Sequence, residues 1–325
     1  MRVVKLLLFL IVVAVAALGW VVLAPFGTSR ETFVEIPPHT GTLGIASALE
    51  AAGAVRNRWV FAALREVEGG TLKAGEYRFA QPASMLAVYD RLRRGDVFTV
   101  QVVIPEGYNL FDVAAVMEGA GLASQESFLA AARANTGLVR QWNPKANSLE
   151  GYLFPDTYRF SRHTTPANIL AAMTRRFGQV AIRLGLAGPE MPRVVILASL
   201  VEREVHADAE RPLVASVFQN RLRAGMPLQT DPAVVYASML RGTWTGVIHM
   251  SELRSDSPYN TYTHAGLPPG PICNPGVAAL RAALEPATTN YLYFVAKADG
   301  TTRFATSLQE HNANVAAYRS SQTRP

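Results

Sequence analysis

A long apolar run near the N-terminus is the strongest pattern in the chain. No charged residue lies between Lys5 and Arg30, and Leu, Val, Ile and Ala fill most of that stretch. At about 1.5 Å per residue, a helix of this length crosses a hydrocarbon layer of about 30 Å. A cleaved signal peptide has a shorter apolar region followed by a small-x-small site, and Pro25 and Phe26 crowd that place here. The pattern therefore predicts an uncleaved membrane anchor over residues 6–26.

The charges on either side of this run predict its orientation. Arg2 and Lys5 precede it, whereas a mixture of Arg and Glu follows it. Basic residues are retained on the cytoplasmic side of a membrane. Residues 1–5 are therefore expected to form a cytoplasmic tail, with the rest of the chain outside.

A strand-like run followed by an alanine-rich amphipathic segment occurs twice. Residues 34–53 and 102–121 each carry Ile-Pro near the start and end at a glycine suited to a helix C-terminus. Further along, Gly75–Phe79 is echoed by Pro155–Phe160, and another helical segment follows each. The pattern predicts two copies of strand–helix–helix–strand, each followed by a helix, although alanine-rich helices can look alike by chance.

The shape of the first copy carries a resemblance of its own. A small β-α-α-β unit on an exported chain resembles LysM-like carbohydrate-binding modules, and residues 33–97 fit such a module in length. Residues 100–178 form a second, module-like region. The shape of a module does not determine what it binds, so the second copy is open to a glycan-binding or a purely structural interpretation.

The last part of the chain predicts a helix-rich domain over residues 188–321. Near its end, residues 291–296 form a strand, Asp299-Gly300 a turn and residues 302–305 the returning strand, and residues 307–318 form a closing helix. The expected fold class is α+β: a transmembrane helix, a duplicated LysM-like module and a helix-rich domain that ends in a β-hairpin and a helix.

Composition narrows the functional classes. Of the 325 residues, 49% are apolar and 17% are charged, which excludes intrinsic disorder. The 31 basic minus 25 acidic residues give +6, and no cluster of basic and aromatic residues suits nucleic acid. The one cysteine, Cys273, excludes an intrachain disulfide and a Cys-rich metal site. The six histidines show no metal spacing and the phosphate-loop and dinucleotide motifs are absent, so we expect no metal and no cofactor.

One glutamate stands out as a candidate acid. Residues 194–201 are apolar nearly all round a predicted helix, which is typical of a buried helix, and Glu202 follows directly. A carboxyl group among apolar neighbours favours its protonated form, as a general acid requires. Glu204 lies about 200° further round the helix and could face water or pair with Arg203 or Arg211. The alternative is that Glu202 itself is solvated or ion-paired.

Polar side chains gather in the loops that follow. Gln229, Asn260 and Tyr262 combine amides with an aromatic ring, the groups that bind sugars, although each could instead be a turn residue. Asp231 is the expected N-cap of a helix that begins at Pro232. The Pro/Gly-rich stretch 266–276 is expected to form ordered turns around the C-terminal end of the Glu202 helix.

Ordered motifs along the chain resemble one family. The chain is similar to the YceG-like (MltG) family of endolytic murein transglycosylases, and the resemblance runs from the anchor to the last helix. The stretches that carry it are residues 149–158, 198–204, 214–222, 228–232, 259–262 and 266–272.

The resemblance implies an enzyme of the cytoplasmic (inner) membrane whose catalytic domain lies in the periplasm. It implies cleavage of nascent peptidoglycan strands between N-acetylmuramic acid and N-acetylglucosamine, which leaves 1,6-anhydro ends and limits strand length. The implied partners are glycan strands and peptidoglycan synthases, with no nucleic acid. By position in the motif the catalytic glutamate falls on Glu202, and Val205 stands where the family often has Thr. The candidate substrate-binding residues are Glu150, Gln229, Asn260 and Tyr262.

One carboxyl group suffices for this chemistry. As an acid it protonates the leaving oxygen, and as a base it then deprotonates the muramoyl 6-hydroxyl, which attacks within the same sugar with a large effective molarity. Two other classes stay open. One is a hydrolase with a second carboxylate, Glu150 or Glu204. The other is a wall-binding membrane protein without catalysis.

Overall fold

The computed structural model describes residues 2–27, 30–205, 207–297 and 301–322. It divides into two compact units, which we describe separately. Residues 1–100 and 159–162 form the first unit, and residues 101–158 and 163–325 form the second. In the described part of the chain, helices predominate and the strands form three two-stranded sheets. The helix-rich α+β class predicted from the sequence is confirmed.

The first unit begins with a long apolar helix. This helix, α1 (Arg2–Leu23), has no buried residue and is long and apolar enough to cross a membrane. It covers most of the predicted anchor and starts four residues earlier. After it come β1 (Thr32–Ile36), α2 (Thr42–Ala51), α3 (Arg58–Glu68), β2 (Gly75–Phe79) and α4 (Met85–Arg94).

One apolar core holds the rest of the first unit together. β1 pairs with β2 in antiparallel register, with Val34 opposite Tyr77. Strand side chains alternate between faces, so one face of this sheet is buried against the helices. The helices contribute side chains such as Leu49, Phe61 and Leu92, all of which are buried.

The end of α1 is attached to this core. Val21 and Val22 are partly buried and pack against the core. The Arg56 guanidinium lies 4.2 Å from the centre of the Trp20 ring, and its Nη2 donates a hydrogen bond of 3.0 Å to the Pro25 carbonyl oxygen. Cation–π contact and hydrogen bond together connect the loop before α3 to the end of the apolar helix.

The remaining elements follow in chain order. They are β3 (Val100–Val103), α5 (Leu110–Gly119), α6 (Gln125–Ala134), a 3₁₀ turn (Thr136–Val139), β4 (Thr157–Phe160), α7 (Pro166–Arg183), α8 (Met191–Glu204), α9 (Arg211–Arg223), α10 (Asp231–Arg241), α11 (Met250–Leu253), α12 (Val277–Leu284), β5 (Tyr293–Ala296), β6 (Thr302–Ala305) and α13 (Leu308–Gln322). β3 neighbours β4 and β5 neighbours β6.

The predicted repeat is present in the order of elements. The series β1-α2-α3-β2-α4 recurs as β3-α5-α6-β4-α7, with the 3₁₀ turn inserted in the second copy. The C-terminal hairpin is also confirmed, because β5 and β6 pair with Tyr293 opposite Ala305. The predicted turn at Asp299-Gly300 lies outside the described residues. The likeness to LysM modules and the domain bounds stay predictions.

The helix that carries Glu202 lies in the core of the second unit, as predicted. Along α8, Val195 and residues 197–202 are buried, and α9 and α12 pack against it. The Pro/Gly-rich loop contacts the same helix, because the Ile272 amide donates a 3.1 Å hydrogen bond to Ser199 Oγ. One local prediction is wrong by a position: Thr230, in extended conformation, is the N-cap of α10, and Asp231 is its first helical residue.

Candidate active site

Glu202 is buried and both of its carboxylate oxygens are bound. It lies in the last turn of α8, with 6% of the residue exposed. Oε1 accepts a 2.7 Å hydrogen bond from Arg211 Nη1, and Oε2 accepts one of 2.8 Å from the Gly276 amide. The carboxyl group therefore lies among polar partners, where the sequence had favoured apolar ones. These contacts join α8 to the start of α9 and to the loop before α12.

A second carboxyl group lies beside this pair. Glu106 follows β3, and its carboxyl group occupies the space that a side chain on residue 276 would need. Burial raises the pKa of Glu106, and the neighbouring charge of Glu202 adds to the effect, while Arg211 lowers it. Glycine at position 276 thus permits a close approach of both glutamates to one backbone segment.

Glu150 lies in the interior with 1% of its surface exposed. Its Oε2 accepts a 2.9 Å hydrogen bond from the Leu110 amide at the start of α5, and its Oε1 accepts one of 3.2 Å from Asn274 Nδ2. Burial raises its pKa to about 8, and the hydrogen bond from the Leu110 amide reduces the shift. The contacts are those of a residue that holds the α5 start to the 271–276 loop.

Asn260 is also fully buried and organises its own loop. Its Nδ2 donates hydrogen bonds to the carbonyl oxygens of Leu253 and Ser255 at 3.1 Å and 2.8 Å. Its Oδ1 accepts a 3.0 Å hydrogen bond from the Tyr262 amide. Asn260 therefore sets the position of Tyr262 through the backbone.

The other sequence candidates meet at an open cavity of about 330 Å³ in the second unit. Its size lies within the range of about 300–1,000 Å³ that is common for small-ligand sites. Glu204, at the end of α8, lines it together with Gln229 and Tyr262. The other lining residues are Arg221, Leu228, Asp231, Phe294 and His311.

The carboxyl group of Glu204 differs from that of Glu202 in its surroundings. Burial raises the pKa of Glu204 to about 7, the negative charge of Asp231 adds to the shift, and Arg221 and Arg203 oppose it. A carboxyl group that titrates near neutral pH can both give and take a proton there. Glu204 thus has the proton affinity that was expected of Glu202.

Gln229 and Tyr262 are placed by the loops around the cavity. Gln229 has φ 56°, a left-handed conformation that is uncommon for residues other than glycine. The backbone amide of Gln229 donates a 3.0 Å hydrogen bond to the Thr261 carbonyl oxygen, which connects the two loops. Tyr262 directs its hydroxyl to Asp231 Oδ1 at 2.7 Å. The strained backbone is local to the cavity, which is where strain is most often retained.

Two cationic or titratable groups complete the wall. Arg221 is buried, and its Nε donates a 2.7 Å hydrogen bond to the Leu292 carbonyl oxygen while its Nη1 donates one of 2.8 Å to that of Leu228. His311, on α13, stacks on Tyr293 with ring centres 5.2 Å apart. Burial lowers the pKa of His311, and the charge of Arg221 adds to that shift.

Two of the five sequence candidates, Gln229 and Tyr262, therefore line one cavity, while Glu202, Glu150 and Asn260 bind protein atoms in the interior. Sequence reasoning did not assign Asp231, Arg221 or His311 to the site. The spacing of these residues carries no signal, because α9, α10 and α13 bring them together only in the folded chain.

A model of the YceG-like family matches residues 34–317. The chain belongs to the YceG-like family. A YceG-like protein of Listeria monocytogenes, solved at 2.6 Å, is 28% identical, and the match covers 88% of this chain and 100% of that one with a TM-score of 0.57.

Two relatives in this family carry a functional name. The endolytic murein transglycosylase of Bacillus subtilis is 33% identical over 310 residues, which is 89% of this chain and 85% of the relative. The endolytic murein transglycosylase of Streptococcus pneumoniae is 30% identical over 335 residues. That match covers 92% of this YceG-like chain and 61% of the longer streptococcal protein.

Proposed function

We propose that this chain is an endolytic murein transglycosylase in which Glu204 is the acid and base. The observation that carries the assignment of the residue is that Glu204 lines the cavity together with Gln229 and Tyr262. The reaction class is supported by the names of the Bacillus and Streptococcus relatives.

Glu202 and Glu204 are the two alternatives for the catalytic carboxyl group. Position in the family motif favours Glu202. The geometry favours Glu204, because both oxygens of Glu202 already accept hydrogen bonds from the protein. A general acid must reach the glycosidic oxygen at hydrogen-bond distance, and a carboxyl group on a cavity wall meets that condition.

The reaction needs only one proton donor and acceptor. Glu204 gives its proton to the glycosidic oxygen while the bond from that oxygen to C1 of N-acetylmuramic acid breaks. The 6-hydroxyl oxygen of the same sugar attacks C1, and its proton passes to the Glu204 carboxylate, which restores the acid. No water is consumed. A positioned general acid contributes about 10²–10⁴-fold, and the intramolecular nucleophile contributes through its effective molarity.

Polar groups of the wall position the sugar. Gln229 and Tyr262 offer an amide and a phenol that are suited to hydroxyl and N-acetyl groups. Glu150 and Asn260 act from the interior, where they hold the backbone of the surrounding loops. His311 adds an imidazole whose lowered pKa keeps it neutral at pH 7, so that it can donate or accept a hydrogen bond.

We infer that the rest of the molecule holds this site at the growing wall. In this proposal α1 anchors the chain in the cytoplasmic membrane, with residues 1–5 inside and the catalytic unit in the periplasm. The LysM-like repeats bind glycan strands, and peptidoglycan synthases deliver the nascent strands. Cleavage within those strands then limits their length.

A pair of matched substitutions tests the assignment. We expect Glu204→Gln to lower formation of anhydro-muropeptides by at least about 10²-fold with the fold retained, because it removes one general acid. Glu202→Gln keeps an acceptor for the Gly276 amide but leaves the Arg211 charge without its buried partner. We expect it to lower the unfolding midpoint and to leave the folded fraction active. Product formation is measured by mass spectrometry on uncrosslinked glycan strands.

The opposite pattern would reinstate Glu202 as the catalytic residue. Wild-type rates in the Glu204→Gln protein, together with an inactive but stable Glu202→Gln protein, would contradict the proposal. The two variants are isosteric changes two residues apart on one helix, and the unfolding midpoint of each protein separates a loss of folding from a loss of catalysis.

A further inference from the structure

Asp231 is a carboxylate on the cavity wall that the sequence treated only as a capping residue. It is the first residue of α10, and it is exposed to solvent while it lines the same cavity as Glu204. The N-terminal turn of a helix stabilises a negative charge at this position. The cavity therefore contains a half-buried carboxyl group, that of Glu204, and an exposed one, that of Asp231.

Tyr262 fixes the direction of this carboxylate. Its hydroxyl donates a 2.7 Å hydrogen bond to Asp231 Oδ1. The backbone amide of Tyr262 donates a hydrogen bond to Asn260 Oδ1, and that of Thr230 donates one of 2.9 Å to Thr261 Oγ1, so that the loop is attached to the start of α10. A single bond to Oδ1 leaves Oδ2 available to a ligand.

We propose that Asp231, oriented by Tyr262, is the second carboxylate of the reaction and stabilises the positive charge that develops at C1 of the muramoyl residue. The proposal rests on the proposed function of the cavity. Asp231 forms no bond and exchanges no proton. The C1–oxygen bond breaks and the 6-hydroxyl oxygen attacks as before, and the proton still cycles through Glu204. A carboxylate preorganised beside a developing cation lowers the barrier because its orientation has no cost at the moment of reaction.

The same charge acts on Glu204. The groups that face Glu204 are Asp231, Arg221, Arg203, Tyr262 and His311. Of these, Asp231 raises the pKa of Glu204, and the two arginines lower it. Two carboxyl groups in different environments are the arrangement by which glycosidases keep one as the acid and the other as an anion.

Asp231→Asn in the full-length protein tests the proposal. Asparagine keeps an acceptor for the Tyr262 hydroxyl and removes the charge. We expect kcat to fall by about 10²-fold, as when one preorganised group is removed from a transition state. We also expect the alkaline limb of the pH profile of kcat/KM to move to lower pH, because the pKa of Glu204 loses a cause that raises it. A purely structural role would lower the folded fraction and leave this limb in place.

Two further variants keep the test decisive. Asp231→Glu restores the charge and should bring the alkaline limb back. Asp256→Asn makes the same chemical change at an exposed carboxylate that pairs with His264 and does not line the cavity, so it should behave as wild type. If Asp231→Asn fails to fold, Tyr262→Phe replaces it as the test. This variant should lower kcat because Asp231 loses its orienting hydrogen bond. It should leave the alkaline limb of the pH profile in place, because the Asp231 charge remains.

The outcomes separate this proposal from the function on which it rests. An inactive Glu204→Gln protein beside an Asp231→Asn protein with wild-type kcat and limb would overturn the role of Asp231 alone. Products heavier by one water from the wild type would overturn both the role of Asp231 and the proposed function, since water would then be the nucleophile. Absence of anhydro products from the wild type, or their persistence in Glu204→Gln, would overturn the proposed function itself.

Discussion

Glu202 and Arg211 form an ion pair in the interior of the second unit, with 5% and 6% of their side chains exposed. Arg211 also binds the exposed Asp208 at 3.1 Å. Taking two charges out of water is costly, and such a pair contributes to stability mainly when both partners and their remaining hydrogen bonds are in place. Here the Gly276 amide supplies the additional donor.

Arg211→Met should therefore destabilise the protein strongly. It leaves the Glu202 carboxylate buried and without its cation, which costs about 3–5 kcal/mol. The double variant Arg211→Met with Glu202→Gln removes both charges and should recover much of that loss. Urea unfolding followed by circular dichroism measures both. Equal instability of the single and double variants would show that the pair is not the source of the effect.

Glu202 and Glu204 show how much of the environment of a single residue can be predicted from the sequence. The apolar run before Glu202 predicted correctly that its side chain is buried. Burial alone does not reveal the partner, because Arg211 reaches Glu202 only after the chain has turned back between α8 and α9. Glu204, two residues later on the same helix, lies about 200° further round α8 and lines the cavity.

The turn at Glu150–Tyr152 shows how elements are held around the site. Gly151 has φ 86°, and a Cβ on it would lie 2.7 Å from Pro271 Cβ and 2.8 Å from Val195 Cγ1. The turn thus packs directly against α8 and the Pro/Gly-rich loop. A side chain has neither the backbone freedom nor the space at this position.

Gly151→Ala should destabilise the second unit by at least about 2 kcal/mol, since strain in the backbone and overpacking add. Gly185→Ala is the matched control: its φ is 65°, but no atom lies within 4 Å of the added Cβ. The control bears only the cost of the left-handed backbone, about 1–2 kcal/mol. Thermal unfolding of both proteins compares them. Equal midpoints would show that close packing at Gly151 contributes nothing.

At the scale of elements the sequence predicted most of the fold. The repeat and the terminal hairpin follow from local periodicity, and their strands and helices lie close to the predicted positions. The site was predicted only in part. Gln229 and Tyr262 could be found from their residue types in rigid loops. Asp231, Arg221 and His311 come from α10, α9 and α13, and their convergence depends on packing between elements that are far apart in sequence.

For the molecule as a whole, the proposed orientation of α1 in the membrane predicts on which side of the membrane the first unit lies. An exposed residue of that unit can test this prediction. Val67, at the end of α3, is 82% exposed. The native Cys273 is fully buried, and burial raises the pKa of its thiol well above the usual value, so that it reacts slowly. A cysteine introduced at an exposed position can therefore be labelled selectively while Cys273 stays in place.

Val67→Cys should react with a membrane-impermeant maleimide in cells whose outer layer has been made permeable and whose cytoplasmic membrane is intact. The proposed orientation places this residue outside the cytoplasmic membrane, where the reagent can reach it. The wild-type protein, with Cys273 alone, should stay unlabelled. Labelling only after the cytoplasmic membrane is disrupted would contradict the orientation.

The central claim is that Glu204 cleaves glycan strands without adding water. The most direct measurement is the mass of the products that the full-length protein releases from uncrosslinked glycan strands, beside those of Glu204→Gln. The account predicts fragments with 1,6-anhydro-muramoyl ends from the wild type, each lighter by one water than a hydrolysis product, and a loss of at least about 10²-fold in the variant. Hydrolysed ends from the wild type, or anhydro ends at the wild-type rate from Glu204→Gln, would contradict it.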